Sequence, residues 1–318
     1  MATNWHSPAR RSAPVRSGVT TATVALEASR RQRRGQIYVA LAAVAWSTAG
    51  VLQRQLTLDT STQVFGRAAF AGASLLVYVA LTERGRVVQA FRSVGAAGLA
   101  VAVCVAIASG SFVAALNETS VARVLFIFAL SPVLAALLAR VALSEPITGR
   151  TVAAMALALA GLALMLGAPG EGSLAGDGLA FLVALAFAVT IVITRWRRDI
   201  SMAPATCLSQ AILLAAFLPF ASPGEIGGDD VFWLAALGIG QIGVGFALFT
   251  VGARLIPAAQ VGLITLLEVV LGPAWVWLAV DERPSTLTLL GGAIVMVAIV
   301  IQTRAGPPPD ERALATPH

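Results

Sequence analysis

Ten apolar stretches follow one another along this chain, at about residues 36–56, 62–82, 95–116, 121–143, 149–168, 177–195, 203–221, 231–253, 257–280 and 285–303. Each is close to the ~20 residues that carry a helix across ~30 Å of hydrocarbon at ~1.5 Å per residue. In lipid every backbone N–H and C=O needs a partner inside the protein, which leaves helices and closed barrels. These runs are too long and too uniformly apolar for the alternation of a barrel strand. They predict an all-α membrane protein with ten transmembrane helices. Turn chemistry separates the runs, as at Ser222-Pro223-Gly224, Ile256-Pro257 and Arg283-Pro284.

Composition agrees and removes several functions. Hydrophobic residues make up 58% before glycine is counted, where a soluble domain reaches about 45–50% with glycine included. The chain has no lysine, so all 22 basic residues are arginine. That excludes a Walker-type phosphate loop and lysine Schiff-base chemistry. The only histidines are His6 and His318, so the apolar region holds no His triad, zinc-ligating His or histidine relay. Cys104 and Cys207 lie inside apolar runs and read as small packing residues. No catalytic residue, metal site or cofactor is expected. A net charge of +6 could suggest nucleic acid, but the arginines occupy tails and inter-run loops. The expected partner is the lipid bilayer and not nucleic acid.

Residues 1–35 are polar and basic, with Glu27 the only acid. They lack an apolar core for a signal peptide and are expected to form a disordered tail, although an organelle transit peptide has similar composition. Eighteen of the 22 arginines fall in the two tails or in alternate loops, including Arg84, Arg140, Arg150, Arg195, Arg254 and Arg304. The other loops carry acids such as Asp59, Glu171 and Asp229. The positive-inside rule then places both termini in the cytoplasm, in a multi-pass protein of the inner (plasma) membrane. Residues 304–318 read as a Pro-rich cytoplasmic tail.

The chain also repeats itself. An offset of 137 lays Val124 on Val261, Leu130 on Leu267, Leu134 on Leu271, Glu145 on Glu282 and Thr151 on Thr288. Glu145 falls in an arginine-rich loop and Glu282 in one on the opposite side. Five spans per half is an odd number, so the halves, 36–168 and 177–303, must be inserted in opposite senses. Inverted repeats around a midplane site are an architecture of secondary transporters, because similar halves can rock between two states.

These residues resemble the EamA branch of the drug/metabolite transporter superfamily. The likeness rests on AVAWSTAG around Trp46, Arg67 in FGRAAFAG, the passage from Asn117 to Thr148 with Pro132 and Glu145, and Glu268 with Glu282. It covers about residues 36–303. The family usually has proline after the mid-helix glutamate, whereas this chain has Val269. Pro273 could supply a displaced kink. The resemblance implies ten helices and export of small metabolites, often amino acids.

Glu268 is the sharpest candidate. A charge near the centre of a spanning helix costs about 2.5–3.5 kcal/mol on insertion scales. It must face a cavity, find a cation or be protonated. It reads either as a counter-ion for a substrate amine or a proton-coupling acid, or as a structural helix–helix hydrogen bond. Arg67 could bind a carboxylate with its planar fork or snorkel to the headgroups. GIGQIG at Gly238–Gly243 matches a dinucleotide fingerprint by letter but follows no strand. Gly238, Gly245 and Gly252 instead form a small-residue face, and Gln241 either lines a pore or bonds across helices. Trp46 and Ser47 in span one and Ser131 beside Pro132 in span four complete the substrate-binding candidates. Pro132 frees a backbone carbonyl that could serve a ligand or simply form a satisfied kink. Trp275 and Trp277 read as interfacial anchors. Glu145 and Glu282 are expected to hold turns through helix N-terminal amides.

The resulting expectation is a secondary-active transporter, an exporter of small polar metabolites such as amino acids, working by alternating access. Import of a vitamin or sugar-like solute and a non-transporting receptor or scaffold are the alternatives. Proton coupling and a homodimer stay open.

Overall fold

The computed structural model describes residues 17–53, 55–119, 121–166, 173–280 and 284–304. Fifteen α-helices run in series: α1 Ser17–Ser47, α2 Ala49–Gln53, α3 Thr60–Thr82, α4 Val87–Ser93, α5 Gly95–Glu118, α6 Val121–Phe128, α7 Ser131–Leu143, α8 Gly149–Leu166, α9 Leu174–Trp196, α10 Ala203–Phe217, α11 Gly228–Ala235, α12 Gly245–Gly252, α13 Ala258–Thr265, α14 Leu267–Val280 and α15 Thr286–Thr303. A π-helical stretch, Ala236–Val244, joins α11 to α12. Among the described residues nine helical segments are long and apolar enough to cross a membrane. The tenth, α10, is 15 residues long, about 22 Å at ~1.5 Å per residue. The ten packed segments match the ten apolar runs. Spans one to five are thus α1–α2, α3, α5, α6–α7 and α8. Spans six to ten are α9, α10, α11–α12, α13–α14 and α15.

Helix α1 starts at Ser17, inside the stretch expected to be disordered. The end of that stretch is anchored by Gly35, which packs on Leu255 and Ile256, and by Gln32, whose amide donates to Gln260 Oε1 at 3.4 Å. Residues 1–16 and 305–318 lie outside the described residues. On the opposite face Asp59 caps α3, accepting from the amides of Ser61 and Thr62. The side chain and amide of Thr62 hold its carboxyl below the usual range.

Contacts between spans show the inversion. Span three packs on six as eight packs on one, three on seven as eight on two, and four on six as nine on one. Five pairs with ten, two with seven and four with nine. Exchanging the two halves leaves this pattern unchanged. The five–ten pair is the closest in backbone terms. A Cβ on Gly291 would lie 2.4 Å from the Gly161 carbonyl oxygen, and one on Gly161 2.8 Å from that of Gly291. The glycine face expected in span eight is likewise filled. Gly238 abuts Phe70 and the Arg67 carbonyl, Gly245 the Trp46 indole, and Gly252 the backbone at Gly35 and Val39.

Polar bonds bind the arginine-rich ends of the helices together. Ser144 ends α7 in the left-handed region, with φ of 57°, and the chain turns so that Glu145 points back across the bundle. Its Oε1 accepts from Arg195 Nε at 2.8 Å and its Oε2 from the Ala258 amide at 3.1 Å. The expected helix-amide role of Glu145 is present, joined to a salt bridge the sequence did not suggest. Arg195, 7% exposed, also donates to the Arg254 carbonyl at 3.0 Å. Arg254 donates to the Ile200 carbonyl at 2.8 Å, and burial lowers its guanidinium pKa. Gln36 reaches Gln260 Oε1 and the Thr303 carbonyl, and Gln260 reaches the Gln302 carbonyl. Glu282, the counterpart of Glu145, lies outside the described residues.

Two outcomes test this packing. Gly291→Val forces a branched side chain against a carbonyl, so it should destabilise the protein by about 1–3 kcal/mol. Gly110→Ala, where a Cβ meets open space, should be near neutral; thermal unfolding in detergent reads both. Glu145→Gln removes the charge that Glu145 sets against the nearly buried Arg195 guanidinium and should cost about 1–3 kcal/mol. Adding Arg195→Gln should cost less than a second independent loss, read as a double-mutant cycle on the same assay.

Candidate functional site

Two spans are interrupted near their centres, and they are counterparts. Span four breaks at Ala129–Leu130 between α6 and α7, and span nine at Leu266 between α13 and α14. The repeat offset superimposes the two breaks. Pro132, at the start of α7, cannot donate to the Phe128 carbonyl, which accounts for the first. The second occurs without proline. The Thr265 hydroxyl donates to the Gly262 carbonyl at 2.7 Å, competing with the helix ladder. The break thus falls before Glu268, while Pro273, the expected source of a kink, lies within α14. The two broken helices cross where Gly262 meets Pro132; a Cβ there would lie 2.7 Å from Pro132 Cα. Span one is interrupted at Thr48, where the Ser47 and Thr48 hydroxyls each donate to a carbonyl three residues back, both at 2.7 Å.

A cavity of about 190 Å³ opens beside these breaks, between spans one to four and six to nine. A single buried water needs only about 10–15 Å³ on this measure, so a solute of several heavy atoms fits. Trp46, Arg67, Gln241 and Glu268 line it. Arg67 reaches it from α3 and Glu268 from the first turn of α14, where the helix N-terminus favours negative charge. Among the described residues neither Arg67 nor Glu268 has a hydrogen-bond or ion-pair partner.

The other two sequence candidates are placed elsewhere. Ser47 is buried and accepts the Trp275 indole N–H at 2.7 Å. Ser131 is fully buried beside the helix break, and its hydroxyl has no partner among the described residues. Neither is among the lining residues. The offset of 137 lays Ser131 on Glu268, so the carboxyl of one repeat corresponds in position to a hydroxyl in the other. Trp275 therefore turns inward to span one, which corrects its reading as an interfacial anchor, while Trp277 stays exposed at 41%.

An aromatic floor closes the cavity toward the arginine-rich face. Trp46 meets Phe246 and Phe187 edge-on and Phe249 at a tilt, with ring centroids 5.4, 6.0 and 5.3 Å away. Phe249 is fully buried, one turn beyond the lining residue Phe246. The bonds of Glu145, Arg195 and Gln260 lie below it. Residues of the opposite halves of spans one, three and four, including Gln53, Phe112 and Leu125, continue the lining. The cavity thus extends from the helix breaks toward the face that carries Asp59 and Asp177.

Sequence reasoning missed several lining residues: Gln53, Ser109, Thr190 and Gln210 among the polar ones, and Phe187 among the aromatics. The repeat could have found one of them. Aligning AVAW of span one with ALAF of span six, an offset of 141, places Phe187 on Trp46, and the two rings touch.

Comparison with known proteins adds the family. Residues 33–167 and 174–304 each match the model of the EamA-like transporter family. An uncharacterized transporter of Archaeoglobus fulgidus is 28% identical over 279 residues, spanning 86% of this chain and 98% of that protein. A solved crystal structure shares the fold, with a TM-score of 0.72 and 20% identity over 85% of this chain and 96% of that one. The family model matches the two halves separately: the chain belongs to the EamA-like transporter family and is a multi-pass membrane transporter.

Proposed function

We propose that this transporter is a secondary-active exporter of small zwitterionic metabolites, amino acids foremost, working by alternating access. The observation that carries the reading is one cavity holding an unpartnered guanidinium, Arg67, and an unpartnered carboxyl, Glu268. Charges at membrane depth are costly unless paired. A solute with its own carboxylate and ammonium pairs with both at once. Arg67 offers a fork that suits a carboxylate, and Glu268 an acceptor for an ammonium or a coupling proton.

Geometry supports the transport cycle. The site lies where two counterpart helices break and cross, an arrangement that transporters use to present backbone and side-chain groups to a solute. Bonds close the arginine-rich end, and the cavity extends toward the other. The inverted halves could exchange these roles, which is alternating access. Outward flux and a cytoplasmic arginine-rich face follow the family resemblance and the positive-inside rule.

The test is exchange in proteoliposomes loaded with a mixed metabolite panel, released compounds being identified by mass. Wild-type protein should release amino acids, and Glu268→Gln should release at least tenfold less, equivalent to about 1.4 kcal/mol. A pH gradient that speeds the wild type but not the variant assigns proton coupling to Glu268. Equal release by both at every pH reduces Glu268 to structure, and release of no zwitterion by folded wild type overturns the substrate class.

A further inference from the structure

The cavity is lopsided with respect to the repeat. The offset of 137 pairs spans three and four with eight and nine, and that of 141 pairs span one with six. Near the centre both members of a pair line the cavity, as Trp46 and Phe187 do, and Ser109 and Phe246. In four other pairs only the member nearer the Asp59 face does: Gln53, Phe112, Phe128 and Glu268. Their counterparts, Thr194, Phe249, Thr265 and Ser131, are all completely buried.

Two of these four residues are buried at a cost. The hydroxyls of Thr194 and Ser131 have no hydrogen-bond partner among the described residues. Buried polar groups left unpaired are destabilising and uncommon in folded proteins. Water or solute would satisfy both if the arginine-rich half opened. Phe249 holds that half shut, packed on Trp46 at 5.3 Å and on Phe187 at 5.7 Å between centroids. Exchanging the halves turns Phe249 on Trp46 into Phe112 on Phe187. In the present form Phe112 borders the cavity, and Phe128 already touches Phe187 at 5.4 Å.

We infer, resting on the alternating-access reading above, that the arginine-rich half holds a second half-cavity, closed in this form, with Thr194, Ser131 and Thr265 in its wall and Phe249 as its plug. It opens as Phe249 leaves Trp46, and the present half-cavity closes as Phe112 moves onto Phe187. The two unpaired hydroxyls are groups waiting for the form in which they are wetted. The solute meets unlike walls on its way through. Toward the Asp59 face it passes the amide of Gln53 and the ring of Phe128. Toward the arginine-rich face it passes the hydroxyls of Thr194 and Thr265.

The experiment uses the full chain in lipid nanodiscs, where both faces are open to reagent. Cys104 and Cys207 are replaced by alanine, and a single cysteine is placed as Gln53→Cys or Thr194→Cys and labelled with a small hydrophilic maleimide. The readout is the ratio of the Thr194→Cys rate to the Gln53→Cys rate. With both phenylalanines in place Gln53→Cys should label faster by about tenfold or more, because the opposite form is the minor one. Phe249→Ala removes the plug and should raise the ratio by about tenfold or more, speeding Thr194→Cys while slowing Gln53→Cys. Phe112→Ala, at the cavity surface, should lower it. If Phe249→Ala does not fold, Phe249→Leu should give a smaller rise in the same direction. Both cysteines speeding together is general loosening and overturns the second half-cavity. So does a ratio that neither position moves, or a Thr194→Cys that no variant exposes; the panel assay decides exchange independently of these results. Reciprocal shifts in a protein that exchanges no solute support the half-cavity and overturn the transport reading.

Discussion

Where Gly262 meets Pro132, two interrupted helices come close enough for backbone to touch a proline ring. Much of the site depends on that crossing. A helix interrupted in lipid leaves polar backbone groups that hydrocarbon cannot satisfy, so interruptions survive only where protein covers them or a cavity admits solute. Here each broken helix covers the break of the other, and the cavity lies alongside. A side chain at position 262 would separate the helices, expose the breaks and push Glu268 away from its present place.

The two breaks have the same position but different chemistry. In span four proline removes a donor. In span nine a threonine hydroxyl bonds to a carbonyl three residues back, and span one uses Ser47 and Thr48 in the same way. Hydroxyls within reach of their own helix can thus take the place of proline. Backbone position has been kept across the halves while the residues that produce it have diverged, which explains a repeat that is faint letter by letter and plain in the packing.

Much of the architecture was legible because it rests on long-range averages. Run length gave the spans, the turn acids Glu145 and Glu282 gave the offset, and span parity gave the inversion. Four of the six residues singled out, Trp46, Arg67, Gln241 and Glu268, line one cavity. What stayed hidden depends on rotation about a helix axis, which a uniformly apolar span does not encode. Gln210 and Thr190 sit in spans with little amphipathic contrast, so their facing was invisible. Ser47 is absorbed by a tryptophan 228 residues away. The π-helical register at Gln241 leaves no periodic mark in a glycine-rich run. Gln32 and Gly35, in a segment that is locally polar, pack at the ends of spans eight and nine, a tertiary effect that its composition does not signal.

The placement of Ser131 on Glu268 has a mechanical consequence. Two inverted halves with identical sequences would have inward-facing and outward-facing forms that are mirror copies in energy. Every side chain that differs between the repeats lifts this degeneracy. Most differences, such as Trp46 against Phe187, are changes of size. Ser131 against Glu268 is a change of charge at the centre of the bundle, and it places the site's carboxyl in one half only. Under the proposed alternating-access cycle, the resting balance between the two forms is a property of side chains laid on a nearly neutral backbone scaffold. Evolution can reset that balance one residue at a time without rebuilding the fold.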